Sequence, residues 1–438
     1  MALSGPGLEP VTSVRLGLQP AVIVRRSASA LAVLVMPGSE TGAFTVASPA
    51  GEVVSDSQFA VVPAPPPSPR VRFKLDPVDR TGRAEVGSSV ALDATGSTAV
   101  VNGNIDDGQV GAVWVFEAND AGALMQAGPK LRPAGVNEPI AHGRSVAVSA
   151  DGTVVAAGAI YDVGYSGAVR VFARDEAGAW EQRGDRLFGD GGVSAQQGTA
   201  VALSADGTVL LEGGPVFSFR RGAAWLFRCG ESGCTQLGGT LGATPPAQDD
   251  NFGAALALSA DGTTAVVGAP GGGEGAAWVF SIDGSTWRTV QRLSATSGFP
   301  SGRFGAGVAV TADGQRIAVL APGRGTGGEV CFFERTTVDH WEIQPQVLSG
   351  AGVSFGGAMA MSLDGTRLAL TRNSSTGSAV LFTLDGGTWG NAAGFPGPNI
   401  AAGSQFSSAA FSLDGRVLLF GAAGDDGPNG AAWLFRPE

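Results

Sequence analysis

One arrangement of apolar and polar positions recurs seven times along the chain. Each copy has an apolar run, a tight turn, a second apolar run, a variable loop and a closing Gly-x-x-x-x-Phe. The turn glycines are Gly96, Gly152, Gly207, Gly262, Gly314, Gly365 and Gly415, roughly 50 to 56 residues apart, a period typical of repeat arrays. The closing aromatics are Phe116, Phe172, Phe227, Phe280, Phe333, Phe382 and Phe435. In the fourth copy the pattern predicts strands over 255–259, 264–268, 276–280 and about 287–293. Asp261-Gly262, between the first two, is a strong short-range hairpin signal.

The centre of the first strand is always alanine: Ala91, Ala147, Ala202, Ala257, Ala309, Ala360 and Ala410. In six of the seven copies larger apolar residues flank it. That pattern predicts a strand buried on both faces, near an axis where neighbouring sheets converge. The expected fold class is therefore all-β, a seven-bladed β-propeller over residues 71–438. The seventh copy ends just after its third strand, and Val71–Leu75 has no repeat of its own. Lys74-Leu75 aligns with Lys130-Leu131 and Arg292-Leu293, which end the fourth strand elsewhere. Val71–Leu75 is thus expected to complete the last blade, which removes an exposed sheet edge.

Asn251-Phe252-Gly253, Gly268-Ala269-Pro270 and Gly275-Ala276-Ala277-Trp278-Val279-Phe280 resemble an FG-GAP repeat, the repeat of integrin α-subunit propellers and of many bacterial surface proteins. Arg303-Phe304-Gly305 with Ala321-Pro322 is similar, whereas the first copy lacks both Phe-Gly and Ala-Pro. Residues 1–62 fall outside the repeat and read as short strands over 12–16, 21–24, 30–35, 42–46 and 58–62. Within them, residues 41–46, Ser48-Pro49-Ala50-Gly51 and 59–62 resemble the end of an IPT/TIG domain, a small immunoglobulin-like β-sandwich. That family's first strand is missing, so the domain is expected to be partial or the chain a piece of a longer protein. Residues 63–70 read as a stiff proline-rich linker.

The formal charge of −11 repels phosphate backbones and anionic lipid, so no nucleic-acid partner and no membrane insertion are expected. No apolar run approaches the roughly 20 residues that span a bilayer. Two histidines and three cysteines are too few for a zinc cluster of the usual spacing.

The integrin-like repeat often carries calcium in the turn between its first two strands. Here that turn is Ser259-Ala260-Asp261-Gly262-Thr263, with one carboxylate, where calcium takes about six to eight oxygens. Turn chemistry alone accounts for these residues. No metal and no cofactor are expected. The eight tryptophans fall at two repeat positions, which points to packing between blades. Cys229 and Cys234 are expected to face each other across a hairpin and form a disulfide, which favours an oxidising, extracellular or cell-surface location.

Candidate ligand-binding residues cluster in the loops between second and third strands. Tyr161, Asp162 and Tyr165 lie in the second copy, and Phe217, Phe219, Arg220 and Arg221 in the third. Aromatic and arginine side chains are common interface anchors. Asp106 and Asp107, with Asp425 and Asp426, form an acidic group in the first and last copies, read either as solvated charge or as a lure for a cation or basic ligand. Asn373-Ser374-Ser375 is a glycosylation sequon. These readings favour a non-catalytic extracellular recognition or adhesion module binding protein or glycan through its loop face. A secreted glycoside hydrolase or lyase using loop carboxylates, and a structural spacer of a larger surface protein, remain as alternatives.

Overall fold

The computed structural model describes the chain except residues 1, 5–7, 9, 18, 27–28, 36–38, 40, 61–70, 121, 296–301, 351–353, 374–377, 397–404, 426, 428 and 437–438. The proline-rich linker at 63–70, Asp426 and two residues of the sequon, Ser374 and Ser375, lie outside the described residues.

The structure is all-β, built mainly of four-stranded antiparallel sheets, of which the described residues form seven. Each sheet starts with the hairpin read from its turn, Asp-Gly in six sheets and Thr95-Gly96 in the first. In the fourth, strands Ala255–Leu258, Thr264–Ala269, Ala276–Asp283 and Thr286–Leu293 pair in sequence order. The turn is fixed by its own side chains. Asp261 Oδ1 accepts from Ser259 Oγ at 2.6 Å and from Thr263 N at 3.0 Å, while Thr264 N donates to Ser259 Oγ at 2.9 Å. Gly262 supplies the left-handed residue, with φ of 70°. The same Ser-Asp arrangement recurs at Ser149-Asp151, Ser204-Asp206, Ser362-Asp364 and Ser412-Asp414.

Sheets 1 to 7 begin at Val90, His142, Ala200, Ala255, Gly307, Phe355 and Ser408. The second strand is the most buried: all six residues are inaccessible in Thr98–Gly103, Val154–Ala159, Val209–Gly214 and Thr264–Ala269. Both its faces pack on neighbouring sheets. Separate hydrophobic clusters fill the junctions, for example Val266, Val279, Phe304 and Val319 between sheets 4 and 5. Each buried Val, Leu or Phe contributes about 1.5–3 kcal/mol. The expectation of a first strand buried on both faces is corrected. Ala200–Leu203 is only partly buried throughout, and so is most of Ala255–Leu258.

First strands contact the next first strand in turn, and that of sheet 7 contacts that of sheet 1. A cycle of backbone hydrogen bonds runs beside them. Ala94 N donates to Ala150 O, Ala150 to Ala205, Ala205 to Ala260, Ala260 to Ala312 and Ala312 to Leu363, at 2.8–3.0 Å. Asp364 N then donates to Leu413 O at 3.2 Å, and Leu413 N returns to Ala94 O at 2.8 Å. Val71–Leu75 is the outer strand of sheet 7: Phe73 pairs with Leu434 and Leu75 with Ala432.

Before residue 61, the described strands form one six-stranded antiparallel sheet. They are β1 (Ala2–Ser4), β2 (Ser13–Leu16), β3 (Gln19–Arg26), β4 (Ala30–Val35), β5 (Gly42–Ser48) and β6 (Gly51–Phe59), in the order β1-β4-β3-β2-β5-β6. The sandwich expectation is corrected to this extent: the strands share one hydrogen-bonded sheet instead of two. Register shifts in β3 and in β5–β6 bend it, so Leu3, Val14, Leu31, Phe44 and Phe59 from separate strands meet in one core.

Candidate recognition surface

The loops between second and third strands share one backbone device in sheets 1 to 3. Each contains three consecutive left-handed residues: Asp107, Gly108 and Gln109; Val163, Gly164 and Tyr165; Ser218, Phe219 and Arg220. Their φ values run from 47° to 75°. A backbone bond closes each turn, from Gly111 N to Asp106 O, Gly167 N to Asp162 O and Gly222 N to Phe217 O, at 2.9–3.0 Å. Glycine occupies the middle position in the first two turns. In the third it is Phe219, and a left-handed non-glycine residue costs about 1–2 kcal/mol. The backbone there holds an aromatic side chain outward, and Phe219 is 83% exposed.

The proposed aromatic anchors divide into two kinds. Tyr165 is 61% exposed, with the Tyr161 ring edge-on at 5.2 Å behind it. Phe217 turns inward and meets Trp225 edge-on at 5.8 Å, so it supports its loop from below. Arg220 is exposed and lies 3.6 Å from Asp249. Val163 and Val193, which sequence reasoning passed over, are 40% and 75% exposed. Gln196 N donates to Tyr165 O and Ser194 N to Ser166 Oγ, which sets the loop carrying Val193 beside Tyr165. The signal for Val193 was a lone valine in a Gly-Gly-Val-Ser loop.

The acidic candidates are braces. Asp106 is fully buried and accepts from Lys130 Nζ at 2.5 Å and Thr81 N at 2.6 Å. Asp107 pairs with Arg132 at 2.8 Å. Asp162 is 3% exposed and lies 2.7 Å from Arg170 and 3.4 Å from Arg186. Asp425 accepts from Trp433 Nε1 at 3.0 Å. Neither solvated charge nor an open cation lure describes Asp106 or Asp425, because Lys130 and the Trp433 indole are held on them; Asp162 is held by Arg170 and Arg186. Among the described residues no three His, Cys, Asp or Glu side chains gather as a metal would require.

Two junctions carry polar residues where others carry aromatics. His142 and Gln197 bridge to Gly111 and Gly167 as Phe252 and Phe304 bridge to Gly222 and Gly275. Arg170 occupies the register of Trp114, Trp225 and Trp278. His142 is fully buried, neither ring nitrogen has a partner, and burial together with Arg170 and Arg132 lowers its pKa to about 3. Glu212 is also fully buried, with both carboxyl oxygens lacking a hydrogen-bond partner. Burial raises its pKa well above the usual range; the Gly189 N–H, which opposes that rise, donates to Gln197 Oε1. Cys229 and Cys234 pair directly across their hairpin and are joined by a disulfide. Cys331 is a buried free thiol, its pKa pushed up to about 11 by burial.

Among the described residues no helix is long and apolar enough to cross a membrane. No protein-family model matches the chain, and no curated protein matches it.

Proposed function

We propose that the seven sheets are the blades of an FG-GAP-like β-propeller behind a partial IPT/TIG-like domain, and that the chain is a non-catalytic extracellular recognition module. Its partner is a protein, bound through the loop face of sheets 2 and 3. The observation that carries this reading is the exposure of Val163, Tyr165, Val193, Phe219 and Arg220 on loops joined where Val216 N donates to Ala195 O at 3.3 Å. Exposed aromatic residues with arginine are the composition of interface hot spots. Holding Phe219 and Tyr165 on left-handed turns costs folding energy that solvent exposure does not return. The Cys229–Cys234 bond agrees with an oxidising compartment. Glycosidase chemistry is less well supported, since Glu212 is sealed in the core and burial, not a neighbouring carboxylate, raises its pKa.

The test compares the native chain with a Tyr165→Ser/Phe219→Ser double variant in cross-linking and quantitative pull-down from the surface proteome of the source cells. Partners that bind the native chain are expected to fall at least tenfold with the variant, at an unchanged melting temperature. Equal recovery by both proteins refutes this assignment of the face.

A further inference from the structure

A cavity of about 550 Å3 opens on the flank between sheets 1 and 2, within the usual size of a small-molecule site. Its cause is local. The outer strands of these two sheets, Leu124–Gln126 and Trp180–Gln182, have three residues each, against eight and ten in sheets 4 and 5. The flank is therefore uncovered. At the repeat position of Trp180, Trp341 and Trp389 are 2% and 6% exposed and Trp287 is half-buried; Trp180 is half-buried and lines the opening.

Glu117, Arg174 and Gln182 stand in the same wall. Arg174 holds Glu117 Oε2 at 3.0 Å, while Glu117 Oε1 and Trp180 Nε1 are both buried without a hydrogen-bond partner. One is an acceptor and the other a donor. A second cavity, of about 590 Å3, adjoins through Ala134 and Gln182, and Arg170 and Arg186 line it. An aromatic face with the Glu117 carboxylate, Arg174 and Gln182 around one opening matches a polyhydroxylated ring compound. A hydroxyl both donates and accepts, and the C–H face of a pyranose packs on an indole.

We propose that this flank is a saccharide-binding site, with one sugar ring stacked on Trp180, a hydroxyl donating to Glu117, and the chain of sugars continuing past Gln182 towards Arg186. The site is separate from the loop face and does not depend on its assignment.

Calorimetry of the full chain with maltotriose, chitotriose and trigalacturonate tests it, covering neutral, N-acetylated and acidic sugars. At least one is expected to bind saturably. Glu117→Gln and Trp180→Leu are each expected to weaken that binding at least tenfold. The melting temperature of Glu117→Gln should match the native chain, and the Tyr165→Ser/Phe219→Ser variant should bind the sugar normally. No saturable binding by any of the three overturns the proposal. Binding that survives Glu117→Gln overturns it as well.

Discussion

At the scale of single residues, two buried ionisable groups set how the fold responds to pH. His142 stays neutral inside the protein down to about pH 3, while the unfolded chain protonates it near 6.5. Its contribution is intact above 6.5 and is lost as pH falls towards 3, by about 1.4 kcal/mol per pH unit. His142→Phe installs the residue that sheets 4 and 5 use at this register, Phe252 and Phe304. The variant is expected to lose less melting temperature between pH 6.5 and 4 than the native chain, as read by calorimetric scans. Glu212 acts in the opposite direction. The folded state keeps its proton while the unfolded state releases it above the usual carboxylate range, so stability declines as pH rises. Val101, Val267 and Val319 hold the equivalent position elsewhere. Glu212→Val should raise stability at pH 7 by about 1–3 kcal/mol, the cost of an unsatisfied buried polar group, and denaturant titration measures it. An unchanged midpoint would show that the carboxyl is satisfied in solution.

At the scale of the elements, the hairpins were legible because their chemistry is local. Ser259, Asp261 and Gly262 specify the turn among themselves, and Thr264–Ala269 begins where the alternation placed it. The closing glycine was legible as a pattern but not in its cause. A Cβ on Gly222 would lie 2.1 Å from Phe252 O, and one on Gly275 2.3 Å from Phe304 O. The glycine lets the third strand of one sheet touch the entry to the next. Contacts between sheets were harder to read. Asp106 reads as loop charge and Asp162 as a ligand contact because Lys130 and Arg170, which neutralise them, lie 24 residues on or at a position that other copies give to tryptophan. The inward turn of Phe217 and the curl of the N-terminal sheet likewise depend on neighbours that periodicity does not name.

At the scale of the whole molecule, the alanine and leucine cycle and the pairing of Val71–Leu75 with Ala431–Phe435 link the first sheet to the last. Removing residues 1–75 would expose Ala431–Phe435 as an unpaired apolar edge beside buried Leu434 and Phe435. The truncated chain is expected to melt at lower temperature and to self-associate in light scattering. A chain lacking only residues 1–60 should do neither. Equal behaviour of the two truncations would mean that the pairing at 71–75 contributes nothing to closure.

That pairing also constrains how the protein is made. The strand at 71–75 leaves the ribosome more than three hundred residues before its partner at 431–435. At translation speeds of roughly 5–20 residues per second it waits unpaired for on the order of 20–70 s. Until then the strand at 71–75 presents an unpaired β-edge. The sheet that holds Ala431–Phe435 is therefore completed only by a strand made at the far end of the chain.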